Sequence, residues 1–108
     1  MNFLNEAQAY EGEMRAFFED LHRHPEPSHF ETRTNRRVRE QLKAHGIDML
    51  CPKDNITIAV IHGAKPGKTV GLRFDTDALQ LQELCDVPYK SEHDGLMHGC
   101  GHDAHTTC

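Results

Sequence analysis

Three observations predict an α/β fold, with helices packed on a mixed β-sheet. Apolar residues recur at helical spacing near the start of the chain, through Met14, Phe17, Phe18 and Leu21. A β-branched run, Ile56-Thr57-Ile58-Ala59-Val60-Ile61, and a second apolar run, Val70-Gly71-Leu72-Arg73-Phe74, follow in the middle. The order is therefore helix before strand, without an internal repeat or a low-complexity tract, and the strands need helices to cover them.

The first helix is expected over about residues 5–22, because Ala7 and Tyr10 extend the apolar stripe backwards from Met14. Pro25 and Pro27 end it. Ser28-His29-Phe30-Glu31 then matches a capping box, in which the serine hydroxyl takes an orphan amide and the glutamate reaches back. The second helix carries Thr34, Val38 and Leu42 on one face, and Gly46-Ile47 suits a left-handed end with its apolar contact. Arg33, Arg36, Arg37 and Arg39 are assigned to its solvated face. Residues 55–61 and 69–74 are expected as neighbouring strands, paired as a hairpin across the turn chemistry of residues 63–68. Asp75-Thr76-Asp77 then falls at a strand end, the edge where open α/β sheets place their sites; the competing reading is that these aspartates cap the next turn.

A chain of 108 residues is one domain at most and buries roughly 60–70% of the surface its unfolded form exposes. Hydrophobic content of 37% with no Trp is low for a self-sufficient domain, which suggests a part of something larger. The net charge of -5 and the dispersed basic residues argue against a nucleic-acid partner. With no basic, apolar leader and no eighteen-residue apolar run, neither secretion nor a membrane is indicated, and a cytoplasmic location is expected. Cys51, Cys85, Cys100 and Cys108 form no CxxC pair, so a disulfide framework is not expected, and Cys51 and Cys85 read as packed thiols.

The densest group of metal-ligand side chains is the run from Met97 to Cys108, which holds His98, Cys100, His102, Asp103, His105 and Cys108. Cys100 and His102 offer a thiolate and an imidazole two residues apart, able to reach one cation from an extended segment. Gly99 and Gly101 allow a tight backbone path, and Asp103 is placed to orient a ligand imidazole. Two ligands do not complete a site, so a solvated glycine-rich tail remains the other reading. His22 and His24, in the last turn of the first helix, read as partners of the helix dipole and its carbonyls, without a catalytic role. His98 and His105 flank the pair, with roles the residues do not decide; Tyr89, Glu92 and His93 read as loop.

Four segments together resemble the peptidase M20 family of metallo-aminoacylases and carboxypeptidases, in its branch of hippurate hydrolases and auxin-conjugate hydrolases. They are Leu21-His22-Arg23-His24-Pro25-Glu26, the stretch Gly67-Lys68-Thr69-Val70-Gly71-Leu72-Arg73-Phe74-Asp75-Thr76-Asp77-Ala78-Leu79, Pro88-Tyr89, and Met97-His98-Gly99-Cys100-Gly101-His102-Asp103-Ala104-His105-Thr106. Their order and spacing match across nearly all of residues 15–107.

The resemblance implies that residues 1–108 are the N-terminal portion of a truncated, dinuclear-metal, aminopeptidase-like catalytic domain, with its remainder and the dimerisation domain absent. It implies two divalent ions, Zn or Mn, and hydrolysis of the amide of small N-acyl amino acids, hippurate-like or acetylated. Cys100 and His102 match the family's metal ligands, Cys100 as a bridge between ions, and Asp77 matches the aspartate that steers a ligand. Asp75 stands where the broader family has a ligand histidine and is assigned a structural role. Phe74, Gln80 and Pro27-Ser28-His29-Phe30 depart from the branch pattern and bear on the substrate pocket, not on the family. The family's glutamate pair and later histidines lie beyond the equivalent of Cys108, so these residues alone are expected to be inactive. The alternative is a non-catalytic module that binds metal or pairs with another chain, with two Cys100 and two His102 completing one site across a homo-oligomer. A small structural zinc protein is disfavoured, because Cys51 and Cys85 lack ligand spacing.

Overall fold

The computed structural model describes residues 1–108. Its elements are α1 (Phe3–Ala9), α2 (Glu11–Arg23), α3 (Thr32–Ala44), β1 (Asp48–Lys53), β2 (Ile56–Val60) and α4 (His102–Thr107).

The single helix expected over residues 5–22 is two helices, α1 and α2, which meet at Tyr10. The Asn2 side chain caps α1, and the Tyr10 amide closes it on the Ala7 carbonyl. The apolar stripe runs across the break, but α1 buries no residue, so no packing holds the two segments on one axis. On α2 the stripe does its work: Phe17 and Leu21 are buried, and with Ala78 they are the whole buried apolar core.

The start of α3 departs from the expected capping box. The Glu26 carboxylate accepts the Arg33 amide at 3.0 Å and takes both the amide and the hydroxyl of Thr34. Glu31 does reach back, but to the His29 amide at 2.8 Å. A carboxylate is a stronger acceptor than a hydroxyl for the orphan amides at the positive end of a helix, which explains why Glu26 displaces Ser28. The far end is as expected. Gly46 takes φ 67, its amide bonds to the Lys43 carbonyl, and the Ile47 amide bonds to the Leu42 carbonyl.

Three of the four arginines on α3 are tethers, which corrects their assignment to a solvated face. Arg33 and Arg37 both pair with Asp20 of α2, at 2.8 and 3.0 Å. Arg39 reaches the Lys53, Asp54 and Ile56 carbonyls and the Thr57 hydroxyl. Its planar fork satisfies the turn between β1 and β2 and fixes that turn to α3.

The strand pairing also differs. β2 pairs antiparallel with β1, upstream of it, through the tight turn at Asp54-Asn55, and residues 69–74 form no ladder. Pro52 hides β1 in the sequence, yet it sits in the register irregularity between Leu50 and Lys53, where a missing amide is tolerated. Residues 69–74 belong to no helix or strand, with Val70, Leu72 and Phe74 exposed. Cys51 and Cys85, expected as packed thiols, are exposed and free, as are Cys100 and Cys108.

Two short bridges then bring distant segments together. Ala78 bridges Pro27 in parallel and donates its amide to the Glu26 carbonyl at 2.8 Å. Leu79 and Met97 exchange both backbone bonds, at 2.9 and 3.1 Å. The aspartates of residues 75–77 therefore lie between the end of α2 and the segment that leads into α4.

Candidate metal centre

Gly101 has φ 80 at the N-cap of α4, a left-handed turn that a side chain would strain, and it directs the chain so that His102 opens the helix. The His102 Nδ1 lies 2.9 Å from both the carbonyl oxygen and Oδ1 of Asp77. Two acceptors at one ring nitrogen place the proton on Nδ1, which leaves the Nε2 lone pair free. Nε2 is 3.9 Å from Asp75 Oδ2. His105 follows one turn later, with its ring centroid 5.1 Å from that of His102 and stacked on Phe74 at 6.0 Å. Thr106 donates its hydroxyl to the Asp75 carbonyl at 2.8 Å, tying α4 to the segment that carries the aspartates.

Asp75, His102 and His105, all half-buried, offer donor atoms within 4.8 Å of one another. Two imidazoles and a carboxylate suit a borderline divalent cation and leave coordination positions over. Asp77 stands behind His102 as the hydrogen-bond partner of its Nδ1. Cys100 is exposed and lies outside this trio. Asp75, expected from the resemblance to be structural, stands inside it, held also by Arg73 at 2.7 Å.

The largest departure concerns His22. It is not at solvent capping the end of α2 but buried, with Nδ1 2.7 Å from Asp103 Oδ2 and Nε2 2.5 Å from Glu83 Oε1. Asp103, expected to orient a ligand imidazole, orients His22 instead. Burial by itself would lower the His22 pKa, but hydrogen bonds and charge from Glu83 and Asp103 raise it above its ordinary value. Burial would raise Glu83, yet His22, the Ser91 amide and the Lys90 charge hold it below the usual carboxylate range. The network is thus an imidazolium between two carboxylates. His24 does cap its helix, through the Asp20 carbonyl at 2.9 Å, and meets Glu92 at 3.2 Å.

His98 is buried beside this network, 6.4 Å from His22 between ring centroids, and neither of its ring nitrogens has a hydrogen-bond partner. Burial pushes its pKa down; Asp103 opposes the shift, and His22 and His102 add to it. The sequence held one signal for His22, which continues the Met14 and Phe18 row at i+4 on the inward side of α2. No pattern in the sequence singled out Glu83.

A model described as peptidase family M20/M25/M40 matches residues 71–108. N-acetylcysteine deacetylase of Bacillus subtilis is 43% identical over 81% of this chain, a span that is 23% of that protein. Hippurate hydrolase of Campylobacter jejuni is 37% identical over 99% of this chain and 28% of its own length. Among solved structures, a dinuclear metal binding peptidase of the M20 family from Bacillus subtilis superposes with a TM-score of 0.87 at 38% identity, over 93% of this chain and 29% of that one. The chain therefore spans about a quarter of the length of the curated relatives it matches.

Proposed function

Since the chain belongs to the peptidase M20 family, we propose that it contributes part of a divalent-metal site to an enzyme that hydrolyses the amide bond of small N-acyl amino acids, hippurate-like or acetylated. The observation that carries this is the His102–Asp77 pair, which occupies Nδ1 and turns Nε2 towards Asp75 and His105. When bound, a divalent ion supplies Lewis acidity towards an amide carbonyl and makes water more acidic. His102 would hold that ion through Nε2, with Asp75 and His105 beside it. Cys100, two residues away and solvent-accessible, is the thiolate proposed to serve the second ion of a pair. Zinc or manganese suits these donors. A cytoplasmic location belongs to the same proposal; no helix here is long and apolar enough to cross a membrane.

The 108 residues by themselves are proposed to be inactive: Asp75, His102 and His105 could hold an ion, but the chain spans only about a quarter of the length of its relatives. Metal content of the purified chain, measured beside His102→Ala and Cys100→Ser, tests the site. Loss of the ion in both variants supports the reading, and retention in His102→Ala removes its basis. Chelator-sensitive release of glycine from benzoyl-glycine by the isolated chain would show that it needs no further groups.

A second reading, a non-catalytic metal-binding or chain-pairing module, is favoured by one observation: the β-prone residues 69–74 pair with no strand, with Val70 81% and Leu72 79% exposed. An unpaired segment of β-branched and apolar residues can serve as a template for another strand. One metal per two chains in native mass measurements would favour this reading.

A further inference from the structure

His22 holds two carboxylates that belong to segments far apart in the chain, Glu83 at a separation of 61 residues and Asp103 at 81. Each partner has a second anchor. Glu83 Oε2 accepts the Ser91 amide, and Asp103 Oδ1 accepts the Ala104 amide in the first turn of α4. The bond to Asp103 therefore acts on the helix that carries His102 and His105, at the residue next to His102.

α4 needs such a tether. It has six residues, too few to be stable without packing, and its N-cap, Gly101, offers no side chain to close it. Besides the His102–Asp77 contacts themselves, the Asp103–His22 and Thr106–Asp75 bonds fix it to the rest of the chain near the site. A slip of one residue turns a helix by about 100°. Such a slip would carry the His102 ring away from Asp77 and Asp75 together.

We propose that His22 is a positioning residue for the candidate metal centre: by clamping Asp103 against Glu83 it sets the rotation of α4, so that His102 meets Asp77 and turns Nε2 towards Asp75 and His105. The proposal rests on the reading of Asp75, His102 and His105 as a metal site. It assigns His22 no contact with substrate or metal.

The test uses the full chain and three variants, His22→Gln, Asp103→Asn and Glu83→Gln. The glutamine amide can donate to one carboxylate but cannot bridge two, and the other two variants keep size and shape. Circular dichroism identifies the variants that fold. Zinc affinity by calorimetric titration is the first readout, and the His102 tautomer in the metal-free chain, by nitrogen-15 imidazole NMR, is the second. Folded His22→Gln or Asp103→Asn should bind zinc about 10–100-fold more weakly than the parent. It should also lose the Nδ1–H signature of His102. A folded variant with parental zinc affinity and parental tautomer would overturn the proposal, and so would loss of the fold in all three, which would give His22 a role in folding alone. If the parent chain bound no zinc, the functional reading would fall, while the tautomer measurement would still decide the role of His22.

Discussion

His102 and Asp77 stand 25 residues apart in the chain and meet at one ring nitrogen, with the His102 Nδ1 2.9 Å from both the main-chain and side-chain oxygens of Asp77. The double contact does more than hold the ring still. It selects the tautomer whose Nε2 carries the lone pair, and so turns a histidine at the start of a short helix into a ready metal donor.

Asp77→Ala should therefore weaken zinc binding by about 10–100-fold without unfolding the chain. The Asp77 carbonyl remains as an acceptor, so the loss should be partial. Titration against a chelating indicator measures it. An unchanged affinity would mean that Asp77 does not prepare His102 for an ion.

The pH dependence of stability should have an alkaline limb that belongs to His22. Its folded-state pKa is raised, so its contribution is fully present below the ordinary value of about 6.5 and is lost as pH rises through the raised value. Glu83 is lowered and contributes above its ordinary value, losing that contribution only in acid. His98 is lowered and weakens the fold only as pH drops below about 6.5, outside the window in question. Melting temperature followed from pH 6.5 upwards should fall in the parent chain and stay flat in His22→Gln. A fall of equal size in both would assign the limb to another group.

His22→Ala is a harsher change than His22→Gln. It strands Glu83 and Asp103 as buried carboxylates without their counter-charge, a loss on the order of 3–5 kcal/mol. Small domains hold only about 5–15 kcal/mol, so the variant should melt well below the parent by circular dichroism. A cooperative melt near that of the parent would show that solvent reaches the network.

Arg39→Ala should loosen the β1–β2 hairpin without disturbing α2. The lost bonds run to three backbone carbonyls and one hydroxyl at a partly exposed site, which suggests about 1–3 kcal/mol. Hydrogen exchange should speed up at Ile56 and Thr57 and stay unchanged around Leu21. Uniform acceleration would indicate that the hairpin and helices open as one unit.

Gly101→Ala should cost about 1–2 kcal/mol, because φ 80 is unfavourable for a residue with a Cβ. Nothing lies close enough to clash with the added methyl group, so the loss should come from the backbone alone. Denaturant unfolding measures it, and Gly101→Asn should lose less, since Asn tolerates the left-handed region better. Equal losses in the two variants would point to a cause other than φ.

Part of the local structure, and the residue types that meet at the site, were legible in the sequence alone. The apolar row on α2 announced Phe17 and Leu21 as core, Gly46 announced the end of α3, and four segments together, the last from Met97 to Thr106, announced the family. Periodicity, special backbone angles and motif spacing are properties of neighbouring residues, so one strand of sequence records them. The tertiary structure decided which distant groups meet. Pairing β2 with β1 rather than with residues 69–74 depended on a turn that Arg39 stabilises from another element. That Asp103 faces His22, that Asp77 faces His102, and that Glu83 is buried at all depended on loops closing across 81, 25 and 61 residues, respectively. A titratable side chain reads the same in sequence whether it caps a helix at the surface or neutralises two buried carboxylates. Only the burial and partners that folding supplies separate the two cases, because charge is costly in the interior unless an opposite charge is brought to it.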